Sequence, residues 1–156
     1  MFSRALINIT KHNKMESINI LGEISERLSE GEILQMEKAI SKNMDEKTYF
    51  KMIADKTASL ISASCFLGFA STNSDDELKK SIKKFGEYLG IAFQLKDDLM
   101  DILGSIDETG KKASLDLKRN MLTLPYLYIL SKIGKKERNN LISKLKYCIK
   151  KEDLVN

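Results

Sequence analysis

The segment QLKDDLMDI, residues 94–102, sets Asp97, Asp98 and Asp101 into a single turn of an otherwise largely apolar stretch. At about 100° per residue the three carboxylates share an arc of roughly 100°, and Gln94 falls inside it. Each local term opposes this. Like charges at i,i+3 and i,i+4 cost a few tenths of a kcal/mol per pair, and aspartate is a poor helix former. The negative end of the helix dipole, just before Gly104, adds about 0.3–1 kcal/mol per anion. Lys96 points off that face, so local salt bridges do not cancel the charge. A hard divalent cation would, with Mg²⁺ favoured over Ca²⁺; a solvated acidic helix end is the alternative. Few protein carboxylates leave waters in place, and phosphate oxygens complete an octahedron.

A second anomaly lies in EKTYFKMIADKTASLISASCFLGF, residues 46–69. Tyr49, Ile53, Leu60, Ala63 and Leu67 have the spacing of one buried stripe, and Lys56 takes the slot between Ile53 and Leu60. A lysine there must snorkel, pair with a carboxylate or meet a bound anion. Beside the aspartate face, this cation reads as part of a diphosphate pocket. Gly31, Glu32 and Gln35 in EGEILQME continue the line of Leu21, Ile24 and Leu28, so polar groups again enter a core-facing stripe. Helix-bundle interiors lined in this way commonly hold ligands, although buried structural polar pairs are an equal alternative here.

The elements that must position these groups are helical. One proline, eight glycines and no strand-like alternation predict an all-α protein. Helices are expected at Phe2–Lys11, Glu16–Ser41, Asp45–Ala70, Asp75–Leu103, Leu124–Lys132 and Lys135–Lys150. Ser74 to Glu77 puts acids at one helix start, and Thr123 can cap another with Pro125 in its first turn. Gly86 and Gly90 lie near the line of Gln94 and the aspartates. Glycine costs about 1 kcal/mol in a helix interior, so this ridge predicts a close approach. The opposite edge, Ile82, Phe85, Leu89, Phe93 and Met100, is expected to be core. Residues 104–122, rich in glycine and charge, form the longest irregular stretch and are expected to be a functional lid or disordered.

The 156 residues suit a single domain, 1–156. The net charge of +4 comes largely from residues 135–151. Without interleaved aromatics, that end reads as a solvated helix face, not a nucleic-acid surface. Cys65 and Cys148 have no metal-type spacing, and no apolar run is long enough for a signal peptide or membrane span, so a reduced cytoplasmic chain is expected. His12, the one histidine, lies in a polar stretch and offers no Ser-His-Asp or di-iron arrangement. Phe2, Leu6 and Ile9 are helically spaced with no cap before them, so the chain is expected to begin inside its own fold.

SEGEILQME, DKTASL, GEYLGIAFQLKDDLMDI, TGKKASLDL and TLP together resemble, in order and spacing, the trans-isoprenyl diphosphate synthases of the polyprenyl synthetase family. The resemblance covers nearly the whole chain and matches a central-to-late segment. It implies an isoprenoid-synthase-type helical bundle, incomplete on its N-terminal and C-terminal sides. It also implies Mg²⁺ at Asp97, Asp98 and Asp101, and diphosphate binding by Lys56, Thr57, Gln94 and the loop residue Lys111, with Glu32, Gln35 and Phe93 lining the pocket. The implied reaction joins isopentenyl diphosphate head-to-tail to an allylic diphosphate, in an enzyme that is usually a homodimer. A first aspartate-rich motif followed by paired arginines is missing from these residues, and Asp75-Asp76 does not replace it. The chain alone is therefore expected to be catalytically incomplete. A non-catalytic partner subunit and a relict fragment are the alternatives. Ser114 stands where the loop motif has a second glycine, and Met121 where the family commonly has lysine. Product length is set mainly near the missing motif.

Overall fold

The computed structural model describes residues 2–11, 15–41, 43–72, 75–103, 115–118, 120–134, 137–138, 140–144 and 147. The described residues are helical, with no strand among them, as the sequence predicts. The helices are α1 (Phe2–Lys11), α2 (Met15–Ser41), α3 (Glu46–Ile53), α4 (Ser59–Ala70), α5 (Asp76–Leu103), α6 (Leu115–Lys118) and α7 (Leu124–Ser131). Lys111, Gly110, Ser114, His12 and Cys148 lie outside the described residues, as does half of the expected helix Lys135–Lys150. No described helix is long and apolar enough to cross a membrane.

Aspartate side chains start two of the helices. The Asp45 carboxylate accepts the Thr48 N–H at 2.8 Å, and that bond holds its pKa below the ordinary carboxylate value. Asp75 accepts the N–H groups of Glu77 and Leu78 at 2.9 and 3.0 Å. Thr123, in contrast, occupies the cap position of α7 without making a cap bond. Its buried hydroxyl has no hydrogen-bond partner among the described residues, so the expected side-chain cap is corrected.

The expected unbroken helix Asp45–Ala70 is interrupted by a π turn at Ala54–Ala58. The Ser59 N–H reaches back five residues to the Ala54 carbonyl. This displaces the usual donor from the Asp55 carbonyl, and the Ser59 hydroxyl takes its place at 2.6 Å. The extra residue resets the helical phase. Burial passes through Tyr49, Ile53, Ala58, Ser62 and Phe66, in steps of four except for one step of five across the turn. Leu60, expected in the stripe, is exposed as a result.

The chain divides into two compact units. The first comprises Met1–Leu34 and Phe50–Gln94. Ile24, Met52, Ile53, Ala58, Ala63 and Phe66 are buried in it, and glycines set how closely its helices approach. A Cβ on Gly90 would lie 2.5 Å from the Ala58 Cα, one on Gly86 2.7 Å from the Ser62 Cα, and one on Gly31 2.6 Å from the Lys56 backbone nitrogen. The close approach expected along the glycine ridge is therefore present, and it is made to the π turn and α4. The opposite edge of α5 is not core: Phe85, Leu89, Phe93 and Met100 are exposed. The helix packs through its small residues, which leaves its bulky ones outside.

The second unit comprises Gln35–Tyr49 and Leu95–Asn156. Its core gathers Leu117, Leu122, Tyr126 and Leu130, with Met44 and Ile102 packed against them. Helix α6 lies inside the stretch expected to be irregular. It ends on Asn120, whose φ of 61° is tolerable for asparagine. There the Asn120 N–H bonds the Leu117 carbonyl at 3.1 Å and the Met121 N–H bonds the Asp116 carbonyl at 2.8 Å, a Schellman-type end. The turn directs Met121 inward, where it is buried. Met121 thus supplies core at this position.

Candidate functional site

In the first unit, the π turn presents Lys56 and Thr57. The Thr57 hydroxyl donates to the Gln94 Oε1 at 3.0 Å, joining two of the residues singled out from the sequence. The Lys56 ammonium lies 3.3 Å from the Glu32 carboxylate, joining two more. Both pairs are only partly buried, so solvent and a ligand can compete for them. Lys56 does not lie in the apolar stripe as expected, because the stripe changes phase at the turn. Phe93, expected to line a pocket, is exposed.

Beside Lys56 is a charge network that the sequence reading did not single out. Asp55 is 6% exposed. One of its carboxylate oxygens takes the Arg27 Nε at 2.8 Å and the other the Lys51 Nζ at 2.7 Å. Arg27 also reaches Glu87 at 3.2 Å, and Lys51 reaches Glu30 at 3.6 Å. Burial alone would raise the Asp55 pKa. The hydrogen bonds from Lys51 and Arg27, with their charges, outweigh it and hold the pKa below 3.8. The i,i+4 spacing of Lys51 and Asp55 was a legible signal for part of this network.

In the second unit the three aspartates have different surroundings. Asp97 is exposed. Asp98 is 3% exposed and accepts the Tyr49 hydroxyl proton at 2.5 Å. Such a charge-assisted bond contributes about 1.5–3 kcal/mol. Burial pushes the Tyr49 pKa well above its ordinary value, and the hydrogen bond and charge of Asp98 push it further, with a smaller push from Asp116. Asp101 is half-buried and accepts the Asp116 N–H at 3.3 Å, so it stands at the start of α6 as a cap from another helix. Gln35, expected to line a pocket, is half-buried in this unit.

Among the described residues no three acidic, histidine or cysteine side chains converge tightly enough to enclose an ion unaided. The donor set here is hard carboxylate oxygen. Asp97 and Asp101, four residues apart, share a helix ridge. These residues fit a cation that keeps several waters and takes its other ligands from phosphate, as Mg²⁺ does, and not one that needs a full protein cage.

The polyprenyl synthetase family profile matches residues 1–155. The chain is 34% identical over 131 residues to heptaprenyl diphosphate synthase component 2 of Geobacillus stearothermophilus, covering 84% of this chain and 41% of that protein. Its fold matches a decaprenyl diphosphate synthase from Rhodobacter capsulatus with a TM-score of 0.79 at 31% identity, covering 88% of this chain and 42% of the other. A polyprenyl synthase from Caulobacter crescentus, solved with calcium and isoprenyl diphosphate, matches with a TM-score of 0.81 at 31% identity, over 91% and 44% of the two chains. The chain thus spans about two fifths of the length of these relatives. An all-helical fold of this similarity, with a profile match over nearly every residue, shows that the chain belongs to the polyprenyl synthetase family.

Proposed function

We propose that this chain supplies the later aspartate-rich motif of a prenyltransferase that joins isopentenyl diphosphate head-to-tail to an allylic diphosphate. The observation that carries the reading is the Thr57–Gln94 hydrogen bond beside Lys56, in a chain matched to the family over residues 1–155. A cation, a hydroxyl and an amide are the groups a diphosphate needs, and the Caulobacter relative was solved with an isoprenyl diphosphate and a divalent ion. Lys56 neutralises charge on the departing diphosphate, while Thr57 and Gln94 give it hydrogen bonds in place of water. Lys111 is assigned to the same diphosphate by resemblance. Asp97, Asp98 and Asp101 are assigned to Mg²⁺, Asp97 and Asp101 by direct or water-mediated contact and Asp98 as the carboxylate held by Tyr49. When bound, Mg²⁺ supplies Lewis-acid stabilisation of the leaving diphosphate.

The 156 residues hold one such aspartate-rich motif, so the purified chain is expected to bind Mg²⁺ and pyrophosphate yet turn over negligibly with isopentenyl and allylic diphosphates. Calorimetric titration tests the first part. Asp97→Asn should weaken Mg²⁺-dependent pyrophosphate binding about tenfold or more, and an unchanged affinity would remove the metal assignment. Radiolabel incorporation tests the second, since Mg²⁺-dependent elongation by the chain alone would overturn its incompleteness.

A second reading, a non-catalytic partner subunit, is favoured by the component name of the Geobacillus relative and by the exposed apolar edge of α5. Co-purification with a chain carrying another aspartate-rich motif, with neither substrate bound by this one, would select it.

A further inference from the structure

The π turn carries Lys56 and Thr57, and the residue before them is held through both its side chain and its backbone. Asp55 sits at 6% exposure with one carboxylate oxygen on the Arg27 guanidinium and the other on the Lys51 ammonium, at 2.8 and 2.7 Å. Through Glu87 and Glu30, those two cations reach α5 and back to α2. The backbone of the same residue is held as well, because the Ser59 hydroxyl bonds the Asp55 carbonyl that the π turn deprives of its amide. Gly31 lets α2 close onto the Lys56 backbone, where a methyl group would collide.

Stability alone is a weak explanation for the network. Arg27 and Lys51 are open to solvent on one side, and ion pairs of that kind contribute only about 0–1 kcal/mol each. A π turn gives up regular helical hydrogen bonding, and such turns concentrate at functional sites. Two cations on one short carboxylate, each also tied to another helix residue, fix direction more than they add energy. What they fix is the point at which the helix changes phase, one residue before Lys56.

We propose that Asp55, clamped between Arg27 and Lys51, is a positioning residue that sets the π turn so that Lys56 faces the diphosphate. The proposal rests on the diphosphate reading above and assigns Asp55 no contact with the ligand. Its action passes through Lys56.

Calorimetric titration of inorganic pyrophosphate with Mg²⁺ into the 156-residue chain tests it, using wild type, Asp55→Asn, Lys56→Ala and the double variant. Asp55→Asn should weaken binding about tenfold, as expected when a binding group is misplaced. In the Lys56→Ala background it should add little, because the two changes disable one device. Equal losses in both backgrounds, or no loss in either, overturn the proposal. Amide exchange at Ser59 follows the turn itself and should quicken in Asp55→Asn; an unchanged rate also overturns it. A wild-type chain that binds no pyrophosphate sinks the diphosphate reading directly, a result distinct from wild-type binding that Asp55→Asn leaves intact. Should Asp55→Asn lose its helical circular dichroism, Lys51→Ala removes one exposed partner of the clamp. It should give a smaller loss of affinity, and no loss would count against the clamp.

Discussion

Tyr49 and Asp98 show what a sequence conceals at the scale of single residues. The aspartate triplet stood out because every local term opposes it, and that anomaly needed no structure to be seen. The different surroundings of its members could not be read, since Tyr49 lies 49 positions from Asp98 and Asp116 lies 15 from Asp101. Removing the hydroxyl in Tyr49→Phe should cost about 1–3 kcal/mol in urea unfolding. The same variant should change the alkaline limit. Folded Tyr49 holds its proton more tightly than the unfolded chain does, whose tyrosine ionises near 10.0. Its contribution is therefore complete below that pH and declines as pH rises beyond it. Wild type should lose stability above pH 10.0 more steeply than Tyr49→Phe, and parallel curves would contradict the burial of that hydroxyl. Asp55 acts at the other limit. Its lowered pKa gives stability that is present above 3.8 and lost as pH falls below it, so Asp55→Asn should flatten acid unfolding in that range.

At the scale of elements, most of the helices were legible, and their ends moved by one residue where caps are local. The π turn was not legible, because periodicity assumes a constant step and this helix takes one longer step. That step removed Leu60 from the core and took Lys56 off the stripe. The glycine ridge was legible as a close approach, although its partner was not. Gly90→Ala should gain helix propensity yet lose about 1–3 kcal/mol overall, since its methyl would meet the Ala58 Cα and Cβ at 2.5 and 2.8 Å. Thermal unfolding checks the sign, and a stabilised variant would mean that the π turn yields easily.

For the whole molecule, we propose that residues 1–156 fold as one domain although they divide into two compact units. Helix α5 gives Asp76–Gln94 to one unit and its last residues to the other, and a helix shared in this way couples their melting. A single denaturant transition, coincident by circular dichroism and tyrosine fluorescence, is expected. Two separated transitions would show independent units. The spacing predicts core positions for Phe85, Leu89 and Phe93, yet all three are exposed together with Tyr88. Periodicity identifies an apolar face but not what covers it, and these side chains should drive association detectable by sedimentation as concentration rises.

The longer step at 54–58 also means that this helix contains one residue more than a uniform spiral needs. Excising a single residue there would put Tyr49, Ile53, Ala58, Ser62 and Phe66 at even intervals of four, so the interior keeps its partners while the bend that displays the lysine disappears. Such a shortened chain is expected to fold and to ignore pyrophosphate, which would separate what the sequence needs for shape from what it holds in reserve for chemistry.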